Sequence, residues 1–386
     1  MVTAGSRGDG MRRANLALVL RTVHRAGPRS RAALTEATGL NRSTIADLVG
    51  ELQRSGLVVE TASAAQGRVG RPSPIVQPDP RVVAVAANPE VDALDLGAVA
   101  FDGTIVVRER LDQCELLTPE RTAALIADRV TAWRDGPLRD ARVVGIGVAV
   151  PGPVRAADGL VREAPHLGWA DAPLARMVTD ATGLATHVAN DAALGALAEH
   201  LFGAARGVDD VVYLNGGASG IGGAVIVGGV PLGGAGGYAG EFGQNRPGIV
   251  DPSDRRAADG VLEDEVSRAL LLAAVGLGSG DDAALAEALA GDADAAARAE
   301  IARQRRILAT ALANAANVLN PAVIVLGGFL ATLAELDLAG LDAQVRAQTM
   351  PACAEGLTLA TADLGEDRLL VGAAETVFDA TLFPTR

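Results

Sequence analysis

Near residue 81 the chain changes character. Before it lie three amphipathic helical patterns and a Gly/Pro-rich basic stretch; after it, short apolar strands alternate with alanine-rich helices for about 300 residues. The charge divides at the same place. Residues 1–81 hold 12 arginines against 6 acids, whereas residues 82–386 hold 22 against 41. A basic head joined to an acidic body is the asymmetry of a nucleic-acid-binding segment attached to something that repels nucleic acid; two unrelated solvated surfaces are the plainer alternative. Lysine is absent, so all 34 cationic side chains are arginines, and neither Schiff-base chemistry nor a P-loop lysine is available.

In the head, Leu16, Val19, Leu20 and Val23 recur at i, i+3, i+4 and i+7, one apolar face of a helix that Gly27 and Pro28 end. Ser30 can cap a second helix over 31–38, Gly39 supplies a turn, and Asn41 can cap a third helix whose core face is Ile45, Leu48, Val49 and Leu52. Gly56 stops it. Helix, tight turn, helix is the helix-turn-helix order, and the first residues of its second helix reach base edges. Here they are Arg42, Ser43 and Thr44. A guanidinium can hold guanine through two bonds, and hydroxyls donate or accept. Residues 57–61 then read as a strand, 62–73 as a loop and 74–78 as a returning edge strand, which is the wing of a winged helix. That loop carries Arg68 and Arg71 in GRVGRPSP, able to lie along phosphates or in a narrow minor groove. A plain interdomain linker is the alternative.

In the body, strands are expected at 82–87, 96–101, 142–150, 210–214, 223–229 and 322–328. An α/β body of this size implies two lobes, and clefts between lobes bind small molecules. The expected organisation is a disordered tail over 1–10, a winged helix-turn-helix domain over 11–80 and a body over 81–386, one lobe spanning about 81–200 plus the C-terminal helix and the other about 201–360. Cys114 and Cys353 are too distant for a disulfide framework or a thiolate cluster, which suits a reducing cytosol. The N-terminus lacks an apolar leader core, so a cytoplasmic protein is expected. The uncharged runs 211–240 and 307–334 are broken by glycines, asparagines and Pro321 and read as buried globular elements.

Four landmarks occur in order: VGIGVAVPGPV at 144–154, VANDAALGALAE at 188–199, the glycine-rich stretch from NGGASGIGG through GYAGEFG at 215–243, and LNPAVIVLGG at 319–328. Together they resemble the ROK family of repressors, open reading frames and sugar kinases, on the two-lobed actin-like ATPase fold. With the winged-helix head, the resemblance spans nearly the whole chain and points to the transcriptional-regulator branch.

The resemblance implies roles for particular residues. Asn190 and Asp191 match the family's Asn-Asp pair, whose aspartate is the kinases' general base; Glu241 and Glu263 match glutamates that hold sugar hydroxyls. His166 stands where asparagine is common beside the sugar. It could donate to a hydroxyl or pack against Trp169. Two departures follow. The kinases' Asp-x-Gly-x-Thr phosphate turn is replaced by Asn88, Pro89, Glu90 and Val91, where proline removes an N–H donor. The family's Glu-x-Gly-His and its three cysteines supply a structural zinc, but the matching positions here are Gln244, Asp254, Arg256 and Val261, which cannot make a tetrahedral site. No zinc or other cofactor is expected. Arg255 and Arg256, among Asp251, Asp254 and Asp259, form a salt-bridged loop or recognise an acidic sugar. His24, His187 and His200 show no ligand spacing and are expected on the surface or in helices.

These readings converge on a non-enzymatic DNA-binding regulator, a repressor, whose body senses a sugar or sugar derivative and which binds double-stranded operator DNA as a homodimer or homotetramer. The alternatives are a ligand-independent regulator with a decayed pocket and an ATP-dependent sugar kinase using Asp191 as base.

Overall fold

Local capping rules lay out the head. The computed structural model describes residues 4–62, 74–278, 280, 282–291 and 294–383. Helix α1 (Ala4–Ala26) includes most of the stretch assigned above to a disordered tail. Extending a helix already nucleated from Met11 onward adds a hydrogen bond per residue without a new nucleus. After β1 (Arg29–Ser30), α2 (Arg31–Thr38) begins where Ser30 Oγ accepts from the Ala33 N–H at 3.2 Å, and ends at Gly39 with φ 70°. Helix α3 (Arg42–Arg54) begins where Asn41 Oδ1 accepts from the Thr44 N–H at 2.9 Å. Its Ile45, Leu48, Val49 and Leu52 share one core with Val19, Leu20 and Val23 of α1. Strands β2 (Val58–Thr61) and β3 (Ile75–Pro78) pair antiparallel, with β1 on the far edge of β3. This is a winged helix. The wing tip, with Arg68 and Arg71, lies outside the described residues.

The body starts with β4 (Val82–Pro89), buried along its whole length as a central strand with both faces covered must be. It continues through β5 (Ala93–Ala100) to β6 (Ile105–Asp112), an edge strand whose residues alternate between half-buried and exposed. Helix α4 (Pro119–Asp135) and β7 (Arg142–Val150) follow. A small antiparallel sheet of β8 (Val154–Arg155), β9 (Leu160–Ala164) and β10 (Trp169–Ala172) precedes α5 (Leu174–Thr182) and β11 (Thr186–Asn190). The first large sheet is ordered β11-β7-β4-β5-β6. Helix α6 (Asp191–Phe202) leads to the second, ordered β14-β13-β12-β15-β16. It comprises β12 (Val211–Gly217), β13 (Gly220–Val227), β14 (Val230–Pro231), β15 (Val323–Gly328) and β16 (Thr358–Thr361). Helices α7 (Leu262–Glu265), α8 (Arg268–Ala274), α9 (Asp282–Ala290) and α10 (Ala295–Leu319) precede β15. Helices α11 (Phe329–Glu335), α12 (Leu338–Gln348) and α13 (Pro351–Ala354) lie between β15 and β16. The last helix, α14 (Arg368–Leu382), returns to the first sheet. It can lie on β7 because Gly147 has no side chain: a Cβ there would stand 2.0 Å from the Ala373 carbonyl oxygen. Gly372 likewise admits α6, since its Cβ would stand 2.1 Å from Leu194 O.

Head and body share a core. Leu20 and Val23 belong to one apolar cluster with Val99, Phe101, Ala374 and Phe378. His24, expected on the surface or in a helix, lies in α1 and is buried between them, because the end of α1 meets a second partner that its own periodicity cannot reveal. Its ring stacks on Phe101 with centroids 4.3 Å apart. Nδ1 lies 2.6 Å from the Phe101 carbonyl oxygen, and Nε2 lies 2.9 Å from Glu375 Oε2. A carbonyl can only accept, so Nδ1 carries a proton, and the Nε2 contact requires one more on either partner. Around this pair, Arg21 lies 4.7 Å over the Phe383 ring and reaches Asp379, while Arg142 donates to Ser55 O and Arg206 to Arg25 O.

Candidate DNA surface and ligand cleft

The first turn of α3 presents Arg42 and Ser43 to solvent, with Thr44 half-buried behind them. Ser43 Oγ donates to Asn41 Oδ1 at 2.7 Å, so the cap also fixes a side chain of the exposed tip. Arg31 forks onto Glu60 at 2.6 and 2.8 Å, tying α2 to β2.

The candidate ligand site is built where β11 ends. Asn190 caps α6, accepting from the Ala193 N–H at 3.0 Å, and donates through Nδ2 to Gly152 O at 3.1 Å. It therefore clamps the turn after β7 to the start of α6. Asp191 Oδ1 accepts from the Ala192 N–H at 2.8 Å. Burial pushes its carboxyl up to about 6, with the Glu241 charge adding to the rise and the Ala192 amide and Arg368 opposing it. Glu241 is raised too, by burial and then by Glu263. Glu263 accepts from the Ile221 N–H at 3.1 Å and from Gln244 Nε2 at 2.7 Å. Asp191, Glu241, Gln244 and Glu263 are thus one electrostatic group, mostly carboxylate, next to the Asn190 clamp. His166 stands exposed on the turn Pro165–Leu167, and Trp169 faces inward with its Nε1 donating to Leu117 O at 2.7 Å. No hydrogen bond joins His166 to the carboxylate group among the described residues.

The glycine-rich stretch serves packing here. A Cβ on Gly220 would stand 2.3 Å from Glu263 Oε2, and one on Gly222 would stand 2.7 Å from Ala192 Cβ. These glycines let β13 press against the carboxylates and the start of α6.

Where the kinases keep a phosphate turn, the β4–β5 hairpin holds an ion cluster. Arg110 of β6 reaches Glu90 at 3.3 Å, Asp92 at 3.1 Å, Asp95 at 3.5 Å and Asp112 at 3.1 Å. Asn88 is turned to Glu90, donating at 2.9 Å. The guanidinium of Arg110 is thus surrounded by four carboxylates at this turn.

The four family metal positions are otherwise engaged. Gln244 is on Glu263, Asp254 accepts from Arg306 at 2.9 and 3.0 Å, Arg256 donates to Glu300 at 2.9 Å, and the Val261 N–H donates to Asp264 at 2.9 Å. Among the described residues no group of His, Cys, Asp and Glu could hold a metal ion, so these residues do not fit a zinc site. Arg255, considered above for an acidic sugar, donates to Ile249 O at 3.0 Å. Beneath the loop lie two residues that sequence reasoning missed, Arg303 and Glu265, paired at 3.0 Å with side chains 2% and 1% exposed. Their only signal was a charge inside apolar helical texture, which is also how a solvated face reads.

No described helix is long and apolar enough to cross a membrane. The ROK family profile matches residues 91–380, and that of the MarR family matches residues 13–69. The chain is 28% identical to the xylose repressor of Caldicellulosiruptor bescii over 69% of its length and 66% of that protein. It is 30% identical to "Transcriptional regulator Mb0495" of Mycobacterium bovis, covering 81% of this chain and 74% of the other, and 30% identical to a glucokinase of Thermotoga maritima, covering 73% and 93%. The crystal structure of a ROK family transcriptional regulator, described as a homologue of the E. coli MLC protein, superposes with TM-score 0.76 at 24% identity over 96% of this chain and 98% of that one.

Proposed function

The chain belongs to the ROK family, and we propose from that premise that it is a DNA-binding repressor whose body senses a sugar without acting on it. One observation carries this reading: Asp191, Glu241 and Glu263 are held as one group, while the turn after β4 is filled by Arg110 and its acids. Phosphoryl transfer is mostly positioning of phosphates and Mg²⁺, and a pocket without that half of the apparatus can bind but not react. The head supplies the output. Arg42 reads bases from the tip of α3, and Arg68 and Arg71 contact phosphates. The effector is an uncharged sugar, because Asp191, Glu241 and Glu263 repel an anion and Arg256 is occupied by Glu300. His166, Asn190 and Gln244 complete its contacts, and no zinc takes part. A ligand that prefers one body conformation shifts the population away from the DNA-competent one. The protein acts as a homodimer or homotetramer on a twofold operator.

The test is sequencing of genomic fragments that the purified protein retains at near-physiological salt, where phosphate-only binding is largely lost. A few enriched sites with a twofold repeat are expected; none, from folded protein, would remove the DNA reading. On an enriched fragment, Arg42→Ala should cost about 1–3 kcal/mol and relax base choice. A second reading, a kinase, is favoured by the Asp191 carboxyl at about 6, which suits a general base. Sugar-dependent ATP consumption abolished by Asp191→Asn would establish it.

A further inference from the structure

We propose that a buried ion-pair staple, Arg303 with Glu265 and Glu300, holds the pocket loop of this chain without metal and positions Glu263. The loop over 245–266 carries Gln244's neighbours at one end and α7 at the other, and α7 has only four residues, too few to hold itself. Arg303 of α10 reaches it from below with every donor used. Nε donates to Glu300 Oε2 at 2.9 Å; Nη1 donates to Asp254 O at 2.7 Å and Glu265 Oε2 at 3.0 Å; Nη2 donates to Glu265 O at 2.6 Å and Glu300 Oε1 at 2.7 Å. Glu265 also takes the backbone N–H groups of Arg256 at 2.9 Å and Ala257 at 3.1 Å.

The ring closes through the loop itself. Arg256 Nη2 meets Glu300 Oε2 at 2.9 Å, and Gln304 on the next position of α10 exchanges bonds with Ser267, its Oε1 accepting at 3.1 Å. Three segments, 254–257, α7 and α10, are thereby fixed to one another, with Glu263 two residues from the pinned carboxylate. Arg256 occupies a family metal-ligand position and is itself a strand of this ring. A planar guanidinium with five donors does what a tetrahedral ion does, fixing several chain segments at set angles, and needs acceptors rather than thiolates. Arg303 and Glu265 touch no ligand; they are positioning residues that act through Glu263.

The affinity half of the test rests on the sugar reading, and the stability half does not. Full-length protein is melted with and without EDTA, and then with added Zn²⁺. No shift is expected from either, while Arg303→Met should lower the melting temperature by about 5 °C or more. Glu265→Gln, which keeps an oxygen for the Arg256 and Ala257 amides, serves where Arg303→Met does not fold. D-xylose and D-glucose are then titrated. The staple variants should weaken binding by about tenfold in the wild-type background and by less than about twofold when Glu263 is already Gln, because residues acting as one unit are not additive. A melting temperature lowered by EDTA, an unmoved melting temperature in the variants, or equal losses on both backgrounds would each overturn the proposal. If neither sugar binds the wild type, the sugar reading fails; the staple then stands or falls on hydrogen exchange, which should rise across residues 262–266 in Arg303→Met.

Discussion

Arg110 and Arg303 each sit inside a ring of carboxylates, yet one ring faces water and the other is sealed. The Arg110 side chain is 42% exposed beside acids exposed by 41% and 73%, whereas Arg303 is 2% exposed against Glu265 at 1%. Both rings lie where family members keep other chemistry, phosphate amides in one place and zinc in the other. Their contact lists look alike, but the physics differs. Around Arg110 burial raises the Glu90 and Asp95 carboxyls while Asp92 and Asp112 stay hydrated, so the attraction is partly screened and this ring stabilises structure less than a sealed one does. In the interior a missing partner leaves a bare charge, so the Arg303 ring fixes geometry at high cost of rupture.

The difference should appear first in Glu265→Ala, which strands Arg303 and two backbone amides; about 3–5 kcal/mol of unfolding free energy should be lost in urea titrations. A loss below about 1 kcal/mol would erase the distinction between the rings. Next comes His24→Ala, which opens a cavity against Phe101 and orphans Glu375. It should cost about 2–4 kcal/mol and raise hydrogen exchange along α1 before the body's sheets are affected.

Asp191 sharpens the contrast from the other side, as a half-buried carboxylate with no such ring. Below about pH 3 it is largely neutral both folded and unfolded. As pH rises from about 4 to 6 the unfolded chain gives up this proton while the folded one holds it, so this group's contribution falls and stays low above 6. Asp191→Asn should therefore stabilise by about 1–2 kcal/mol at pH 7.5 and by much less at pH 4, measured by melts across that range. A gain independent of pH would refute burial of the charge as its cause. The smallest effect belongs to Arg110→Ala, below about 1 kcal/mol and fading further in molar salt.

What could be read from the sequence divides by range of contact. Ser30, Gly39, Asn41 and Gly56 mark the head because caps and turns act within a few residues, and the structure uses Ser30 and Asn41 as caps. The apolar runs of β4, β7, β12 and β15 announce strands covered on both faces. Strand β6 was missed because a one-sided edge strand such as IVVRERLD reads as a charged loop. Asn190, Asp191, Glu241 and Glu263 were singled out by an ordered set of motifs rather than by any local rule, and the structure brings them together. His24 with Glu375 and Arg303 with Glu265 join positions 351 and 38 residues apart. Nothing near either partner in the chain encodes the other.

The shared core between α1 and the body also bears on the DNA that the protein can accept. A head on a loose tether lets two copies reach half-sites at many separations. Here stacking of His24 on Phe101 and the bonds from Arg21, Arg142 and Arg206 lock each head to its body, so the homodimer or homotetramer proposed above would act as a ruler. Inserting about 5 base pairs between half-sites turns one of them to the opposite side of the duplex, and binding should collapse; inserting about 10 restores the phase but stretches the span. On that proposal the operator is specified by helical phase as well as by bases.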